Sequence, residues 1–309
     1  MGRRRKGDAV SGWICLDKPI DLGSTQAVGR VRRLFNAQKA GHAGTLDPLA
    51  TGILPIALGE ATKTVPFLMD ADKTYRFTVA WGEETATFDR EGAVTATSDV
   101  RPEAAAIADA LKAFVGEISQ VPPNYSAVRV DGARAYDLAR EGIEMELQPR
   151  QVVIHDARFI EALDVDHATI EIECGKGTYV RALARDLASA LGAVAHVSEL
   201  RRTRVGGFGA ENAITLEKLE ALCQESVPLE VLLPVETALD DIPELAVTTE
   251  DAFRLTQGRS IVLLPRQVET LKARLGASRT VSARHGTAIV ALCEMRAGRL
   301  NPTRVFHLT

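Results

Sequence analysis

The sequence predicts an α+β fold rather than a doubly wound parallel sheet. Segments with strand character occur in neighbouring pairs and helical segments stand in separate blocks, so the order does not follow a regular β–α–β alternation. Of the chain's residues, 46% are hydrophobic and 25% are charged, which is an ordinary composition for a soluble globular protein. With 309 residues, the chain is long enough for two domains.

The first elements are a strand, a turn and a helix. Residues 12–17 (GWICLD) have the character of a short strand, and DKPIDLGST then predicts a turn in which Ser24 or Thr25 is a suitable helix N-cap. TQAVGRVRRLFN predicts an amphipathic helix, because its apolar residues recur at helical spacing. Three arginines lie off the apolar stripe, towards solvent or an anionic partner: Arg30, Arg32 and Arg33.

The middle of the chain predicts further strands and one helix. YRFTVAWG (75–82) alternates in the manner of a half-buried strand, with Tyr75, Phe77, Val79 and Trp81 on one face. PEAAAIADALKAFVG (102–116) predicts a helix that ends at Gly116. VVIHDARFIEA and ATIEIEC read as two strands joined by LDVDH.

TYVRALARDLASALG (178–192) predicts a helix with Thr178 as its N-cap and Gly192 at its end. Arg181 would then occupy the third helical position, where the helix dipole disfavours a cation. It lies at the edge of the apolar face, so a snorkelling arginine on that rim is the ordinary structural interpretation.

Two prolines and an acidic run predict a domain boundary near residues 234–245. We therefore expect a basic flexible tail at 1–10, a catalytic domain at 11–240 and a small β-rich module at 241–309. The module is predicted from GTAIVALCEMRAGRLNPTRVFHL, which reads as strand, turn and strand.

The distribution of charge is more informative than the net charge of −4. Residues 1–63 hold ten Lys/Arg against five Asp/Glu, whereas residues 236–251 hold six acids and no base. This asymmetry allows a positive face on one domain, and charges scattered over a solvated surface explain it equally well.

The four cysteines are far apart and form no CxxC pair, which argues against a zinc site or a disulfide framework and suits a reducing cytosol.

No stretch has the apolar length of a membrane span, so we expect a soluble, cytoplasmic protein. Nucleotide-binding, dinucleotide-binding, zinc-protease and serine-hydrolase motifs are all absent, so no cofactor and no metal site is predicted. Asp164 and Asp166 lie between two strands, where acids commonly form turns.

The run GHAGTLDPLATGILPIALG (41–59) contains one formally charged side chain, Asp47. An Asx-turn or helix cap is the ordinary interpretation of an Asp-Pro pair. The glycines of the run instead permit close approach of a ligand to the backbone. The run is also longer than the usual connection between a helix and a strand.

This run resembles the catalytic segment of the TruB-type tRNA pseudouridine synthases, and further matches follow in order over most of residues 12–210. They are DKP (17–19), DKTYRF (72–77), PPNYSAVRVDGARAYDLAREG (122–142), GKGTYVRALARDL (175–187) and LRRTRVGGF (200–208). The resemblance implies a pseudouridine-synthase-like mixed or antiparallel sheet flanked by helices. The end of the chain resembles the PUA-like RNA-binding module of many members.

Bacterial members of this family convert uridine 55 in the T arm of tRNA to pseudouridine. The resemblance implies that Asp47 is the essential carboxylate, that Tyr75 stacks on the target base and that Arg181 pairs with the acid. It implies that three further residues contact or replace the flipped nucleotide: His42, Tyr179 and Leu200. Without the resemblance, Tyr75 would be assigned to the core and His42 to the surface.

Several cations are candidates for contacts to the RNA backbone, although a solvated charge run would explain them equally well. They are Lys18, Arg30, Arg32, Arg33, Lys39, Arg201, Arg202 and Arg204. The chain departs from the family after DKP, because Asp21 occupies the place of a common glycine. This substitution puts the local turn and its RNA contacts in question.

The isomerisation breaks the N1–C1′ bond, turns the base and rejoins it through C5, so it needs no cofactor. It needs an ionised carboxylate that attacks C1′ or removes the C2′ proton, and both routes remain open. A nearby guanidinium would keep that carboxylate ionised. We expect tRNA as the partner, no obligatory protein partner and a monomer. An RNA chaperone and a guide-RNA-dependent synthase are the alternatives.

Overall fold

The computed structural model describes residues 7–308 except 127, 131–132, 144 and 276–278. Most of the predicted 1–10 tail, and part of the 122–142 match, therefore lie outside the described residues. Asp8 belongs to that tail and is nevertheless held, because its N–H donates to the Asn36 carbonyl at 2.7 Å. The backbone at Asp8 is thus attached to the segment around Asn36.

The larger part of the chain contains six helices and thirteen strands among the described residues. In chain order they are β1 Gly12–Lys18, α1 Ser24–Leu34, β2 Ala40–His42, β3 Ala50–Leu58, α2 Val65–Asp70, β4 Lys73–Trp81, β5 Glu83–Thr85, β6 Val94–Thr97, α3 Ala104–Leu111, β7 Gly116–Gln120, β8 Arg129–Val130, β9 Ala133–Arg134, α4 Ala135–Arg140, β10 Arg150–Ala162, β11 His167–Cys174, α5 Val180–Ala190, β12 Ala195–Val205, β13 Ile214–Thr215 and α6 Leu216–Glu225.

Nine of these strands form one mixed sheet, as the sequence predicted. Its order is β13-β1-β3-β12-β4-β11-β10-β7, with β2 paired to β3. The pairs β1/β13 and β3/β12 are parallel, and the other pairs are antiparallel. The α+β prediction is confirmed.

Strand β4 forms where it was predicted, but it is more buried than the predicted half-buried strand, because all residues from Phe77 to Trp81 are buried. Phe77, Val79 and Trp81 are buried against the apolar face of α5, and Tyr75 packs at the edge of the same cluster. Arg76 is on the opposite face, where it pairs with Glu171 of β11 at 2.9 Å. The covered face of the sheet is thus the one that carries Tyr75.

Three predicted helix boundaries are corrected. Helix α1 has Gly23 at its N-cap, and the Ser24 hydroxyl instead donates to the Leu46 carbonyl and accepts from the Leu46 N–H, both at 2.8 Å. Helix α3 ends at Leu111 rather than at Gly116, which begins β7. Helix α5 begins one residue later than predicted, with Tyr179 at its N-cap.

Asp21 adopts a backbone conformation that favours glycine. Its φ is +62°, in the left-handed region that asparagine and aspartate tolerate better than other non-glycine residues. Its N–H donates to the carbonyl of Pro48, next to Asp47, at 2.9 Å. An aspartate at this position is therefore compatible with the turn and with its contact to the Asp47 loop.

We expect Asp21→Ala to be less stable than Asp21→Gly by about 1 kcal/mol, because a β-carbon is strained at this φ and glycine is not. Urea unfolding of the two variants measures the difference. Equal stabilities would show that the left-handed backbone at position 21 carries no strain.

The end of the chain forms a second, smaller sheet. Its elements are β14 Glu244–Ala246, α7 Thr249–Thr256, β15 Ile261–Val262, α8 Pro265–Lys272, β16 Thr280–His285, β17 Ala288–Arg296 and β18 Arg299–Val305. The strand order is β14-β16-β17-β18-β15. A β-rich module near the end of the chain is therefore present, whereas its bounds of 241–309 and its PUA-like character remain predictions. Among the described helices, none has the length and apolar composition required to cross a bilayer.

Candidate active site

Asp47 lies in the loop between β2 and β3, and several hydrogen bonds fix the backbone of that loop. The Asp47 carbonyl accepts from the Ala50 N–H at 3.0 Å. The Pro48 carbonyl accepts from the Asp21 N–H at 2.9 Å and from Lys18 Nζ at 3.2 Å. The loop therefore presents the Asp47 carboxylate from a fixed backbone.

The Asp47 carboxylate pairs with a buried arginine and thus does not serve mainly as a turn or helix cap. Its Oδ2 lies 2.8 Å from a terminal nitrogen (Nη2) of Arg181. The Arg181 side chain is 8% exposed, whereas that of Asp47 is 43% exposed. The snorkelling interpretation of Arg181 is therefore wrong, and the acid faces an accessible space while its cation lies behind it.

The Arg181 guanidinium is held by three partners besides Asp47. Nη1 donates to the Thr87 carbonyl at 2.9 Å and lies 3.3 Å from Asp89 Oδ2, and Nη2 donates to the Tyr125 carbonyl at 2.9 Å. Its position is therefore set by carbonyls from two loops and by a second carboxylate. Arg181 is the second residue of α5, where the helix dipole disfavours a positive charge. The two carboxylates and two carbonyls around the guanidinium compensate for this unfavourable position.

Sequence reasoning missed Asp89. This buried carboxylate accepts from the Thr87 hydroxyl at 2.5 Å and from the Glu91 N–H at 3.0 Å, so it is oriented before it meets Arg181. The Thr87-x-Asp89 spacing signals a local turn. Its distance of 42 positions from Asp47 gave no sign that the two acids share one arginine.

A cleft of about 550 Å³ opens beside Asp47. Five residues predicted for the site line it together with Asp47: Tyr75, Tyr179, Arg181, Leu200 and Arg202. Burial raises the pKa of the Tyr75 hydroxyl, which also hydrogen-bonds to Arg202. Burial likewise raises the pKa of Tyr179, so both phenols are neutral near pH 7.

His42 is not among the residues that line this cleft. It lies half-buried on the short strand β2, paired in register with Ile56 of β3. Its Nδ1 is buried and has no hydrogen-bond partner among the described residues. Burial, and then the charge of Arg202, lower the pKa of His42. A neutral imidazole therefore stands beside the Asp47 loop.

Lys18 and Arg202 are buried, so both are less accessible to phosphate groups than predicted, although Arg202 also lines the cleft. Lys18 is fully buried, and its Nζ donates to the Leu22 carbonyl at 2.7 Å. Arg202 is 1% exposed and donates to the carbonyls of Ile53 at 2.8 Å and Gly44 at 3.1 Å. Both cations satisfy backbone carbonyls around the Asp47 loop. Burial also lowers the pKa of Lys18 to about 8.

The remaining predicted cations lie at the surface or partly exposed. Arg33 is exposed and Arg30 lies 3.9 Å from Glu220, while Lys39 is partly exposed. Arg201 forms a bidentate pair with Asp17 at 3.0 and 2.8 Å, and Arg204 pairs with Glu173 at 2.6 Å.

The sequence analysis did not identify Lys73, a cation that also lines the cleft. Lys73 donates to the carbonyls of Met69 and Ala71, and burial lowers its pKa to about 8.

We expect Arg202→Met to lower the free energy of unfolding by about 2–4 kcal/mol, because two buried carbonyls lose a charged donor. Urea unfolding measures this change. The matched variant Arg33→Met should lose less than about 0.5 kcal/mol, because Arg33 is exposed. A fully stable Arg202→Met protein would restore Arg202 as a candidate for phosphate binding.

Among the described residues, no group of three or more His, Cys, Asp or Glu is arranged to hold a metal ion. Cys15, Cys174 and Cys293 are buried free thiols, and Cys223 is partly exposed.

Two family models match residues 32–240 of the chain, and known proteins match it over its full length. The TruB family pseudouridylate synthase N-terminal domain matches residues 32–180, and the tRNA pseudouridylate synthase B C-terminal domain matches residues 181–240. A protein of Caulobacter vibrioides named tRNA pseudouridine synthase B is 70% identical over 100% of both chains. A protein of the same name from Bradyrhizobium diazoefficiens is 55% identical over 99% of this chain and 88% of its own.

A solved structure titled as a Cbf5-Nop10-Gar1 complex is also similar. It shows 26% identity and a TM-score of 0.71, over 96% of this chain and 85% of that one. The family matches and the two relatives cover the loop of Asp47 and the helix of Arg181 alike. The chain belongs to the TruB family of pseudouridylate synthases.

Proposed function

We propose that this chain converts uridine 55 in the T arm of tRNA to pseudouridine, with Asp47 as the carboxylate that acts on the sugar. The observation that carries the proposal is the 2.8 Å pair between Asp47 and Arg181 at the mouth of a cleft lined by Tyr75. The name of the Caulobacter vibrioides relative, tRNA pseudouridine synthase B, supports tRNA as the substrate.

The reaction is balanced without any added reactant. The N1–C1′ bond breaks, the detached uracil turns and a C5–C1′ bond forms. The C5 proton passes to solvent and N1 takes up a proton from solvent, so the product is an isomer of the substrate. Attack of Asp47 on C1′ gives a covalent sugar ester, whereas removal of the C2′ proton gives a glycal. Each route needs an ionised carboxylate close to the sugar, and Arg181 supplies the compensating charge.

The cleft supplies the rest of the site in this proposal. The Tyr75 ring stacks on the extruded uracil, a contact worth about 1–3 kcal/mol, and Tyr179 and Leu200 complete the walls. The Tyr75 hydroxyl, which burial keeps protonated, is the candidate group for proton transfer at C5. His42 occupies the gap that the flipped nucleotide leaves in the RNA.

RNA outside the cleft is held by exposed cations and by the C-terminal module. Arg30, Arg33, Lys39 and Arg201 are the candidates for phosphate contacts that remain after the correction of Lys18 and Arg202. We further propose that residues 11–240 form the catalytic domain and residues 241–309 a PUA-like RNA-binding module. The chain acts as a monomer in the cytoplasm, without an obligatory protein partner or a cofactor.

The proposal is tested by incubating the purified chain with a T-arm transcript in buffer alone and mapping pseudouridine in the product. Pseudouridine at position 55 supports it. The similar structure titled as a Cbf5-Nop10-Gar1 complex makes dependence on partners the second candidate. Activity that appears only when guide RNA and partner proteins are added would favour that candidate. An inactive chain that still promotes folding of the T arm would indicate an RNA chaperone.

A further inference from the structure

The end of the chain is fastened to the catalytic sheet by a charged clamp. Glu60 and Lys63 lie on a short 3-10 turn, Gly59–Lys63, that follows β3. Glu60 Oε2 accepts from Lys63 Nζ at 2.6 Å and from the His307 N–H at 2.8 Å. Lys63 Nζ also donates to the Val305 carbonyl at 2.7 Å. Two side chains of the larger part therefore hold the last strand of the module.

This clamp is mostly shielded from water. The side chains of Glu60 and Lys63 are 18% and 23% exposed, and Lys63 Nζ lies 5.7 Å from the centre of the Phe306 ring. Phe306 is buried in a cluster that also contains Trp13 and Phe208. Although burial acts to raise it, hydrogen bonds from Lys63 and from the His307 N–H lower the pKa of Glu60. The carboxylate is therefore ionised, and its hydrogen bonds are charge-assisted.

One buried strand joins the clamp to the active site. Strand β3 begins three positions after Asp47 and ends immediately before Gly59, and eight of its nine residues are buried. A second ion pair, Arg284 of β16 with Glu236 at 3.2 Å, ties the other side of the module to the larger part. The module is thus attached through the apolar cluster around Phe306 and through two polar contacts, one of which is continuous with the Asp47 loop.

The module has the charge of a polyanion-binding surface. Residues 241–309 hold ten Lys/Arg against six Asp/Glu, a balance of +4, whereas residues 1–240 hold 27 against 35, a balance of −8. Arg259, Arg296 and Arg299 are exposed, and no carboxylate of the described residues lies within 4 Å of their nitrogens. Arg296 and Arg299 face each other across the β17–β18 pair. Unpaired arginines of this kind suit phosphate groups.

We propose that Glu60 is a positioning residue, which fixes the module relative to the cleft so that its arginines reach phosphates of the same tRNA outside the T arm. This inference rests on the proposed function. The cleft and the module then act as two linked binding sites, whose joint affinity depends on their fixed separation and orientation. Loosening the clamp lowers the effective concentration of the second site without altering the first.

The test compares Glu60→Ala with wild type on two substrates, a full-length tRNA transcript and an isolated T-arm hairpin. We expect KM for the full-length tRNA to rise roughly 10-fold at unchanged kcat, with no change in either constant on the hairpin. Lys63→Met should give the same pattern, which guards against a folding defect in one variant. Glu250→Ala is the control, because Glu250 pairs only with Arg254 on an exposed helix of the module.

Equal losses on both substrates, or no loss on either, would overturn the positioning role. A rise in KM for Glu250→Ala as large as that for Glu60→Ala would also overturn the positioning role. Both variants remove one carboxylate, so the effect would then not depend on the clamp. Wild-type protein that converts neither RNA would instead refute the proposed function itself. The two failures are therefore distinguished by the wild-type reaction.

Discussion

Asp47→Asn should bind tRNA with nearly wild-type affinity and lose turnover by about 10⁴-fold or more, because an amide can neither attack C1′ nor remove a proton. The asparagine keeps the size of the side chain, and its oxygen can still accept from Arg181. Asp89 remains beside the guanidinium, so the buried charge keeps one carboxylate partner. Tritium release from [5-³H]uridine tRNA measures turnover, and filter binding measures affinity.

Asp70→Asn is the matched control for this variant. Asp70 also lines the cleft, but its carboxylate is exposed and pairs with Lys176 at 2.9 Å. Because an exposed ion pair contributes little, this change should alter turnover less than about threefold. Tritium release by Asp47→Asn at a rate close to wild type would remove Asp47 from the chemistry.

The fold could be predicted from the sequence where burial is periodic. The apolar stripe of α5 depends on spacing within a single element, and the structure buries it. Strand β4 was also predicted in the right place, although its residues from Phe77 to Trp81 are all buried and do not alternate. The ends of helices were less predictable. Ser24 is a common N-cap residue, but its hydroxyl bonds to Leu46, which lies 22 residues away. A tertiary hydrogen bond of this kind leaves no local pattern.

The candidate site also contains residues that the local sequence singled out and residues whose environment depends on tertiary contacts. Asp47 stood out because it is the single charge in a glycine-rich run, and Arg181 because a cation is unusual near a helix N-terminus. Lys18 and Arg202 were predicted to contact phosphates because the residue type alone does not show whether a cation is buried or exposed. Arg202 donates to backbone carbonyls of a distant segment, and Lys18 donates to nearby carbonyls and to that of Pro48. Contacts between distant segments become visible only once the chain is folded.

Arg181→Lys should lower kcat by about 10²–10³-fold and leave the KM for tRNA almost unchanged. The guanidinium serves Asp47, Asp89 and two carbonyls at once, and its four terminal N–H groups match these four acceptors. An ammonium has three donors and no planar fork, so it cannot hold Asp47 in place while it also satisfies the others. Misplacing a reacting group or removing one preorganised charge typically costs about 2–4 kcal/mol of transition-state stabilisation.

Whether the Arg181→Lys variant changes kcat or KM shows whether Arg181 positions Asp47 or binds phosphate. Because its side chain is 8% exposed behind Asp47, it is screened from phosphates, and a loss confined to KM would contradict the assignment. Arg185→Lys is the control on the same helix, one turn further on, where the guanidinium contacts Asp186 and the Val121 carbonyl instead of Asp47. It should retain kcat within about threefold, because the ion pair it weakens is partly exposed and away from the acid. If the Lys variants at 181 and 185 were equally impaired, disturbance of helix α5 would explain both, and the pairing of Asp47 with Arg181 would have no special part in catalysis.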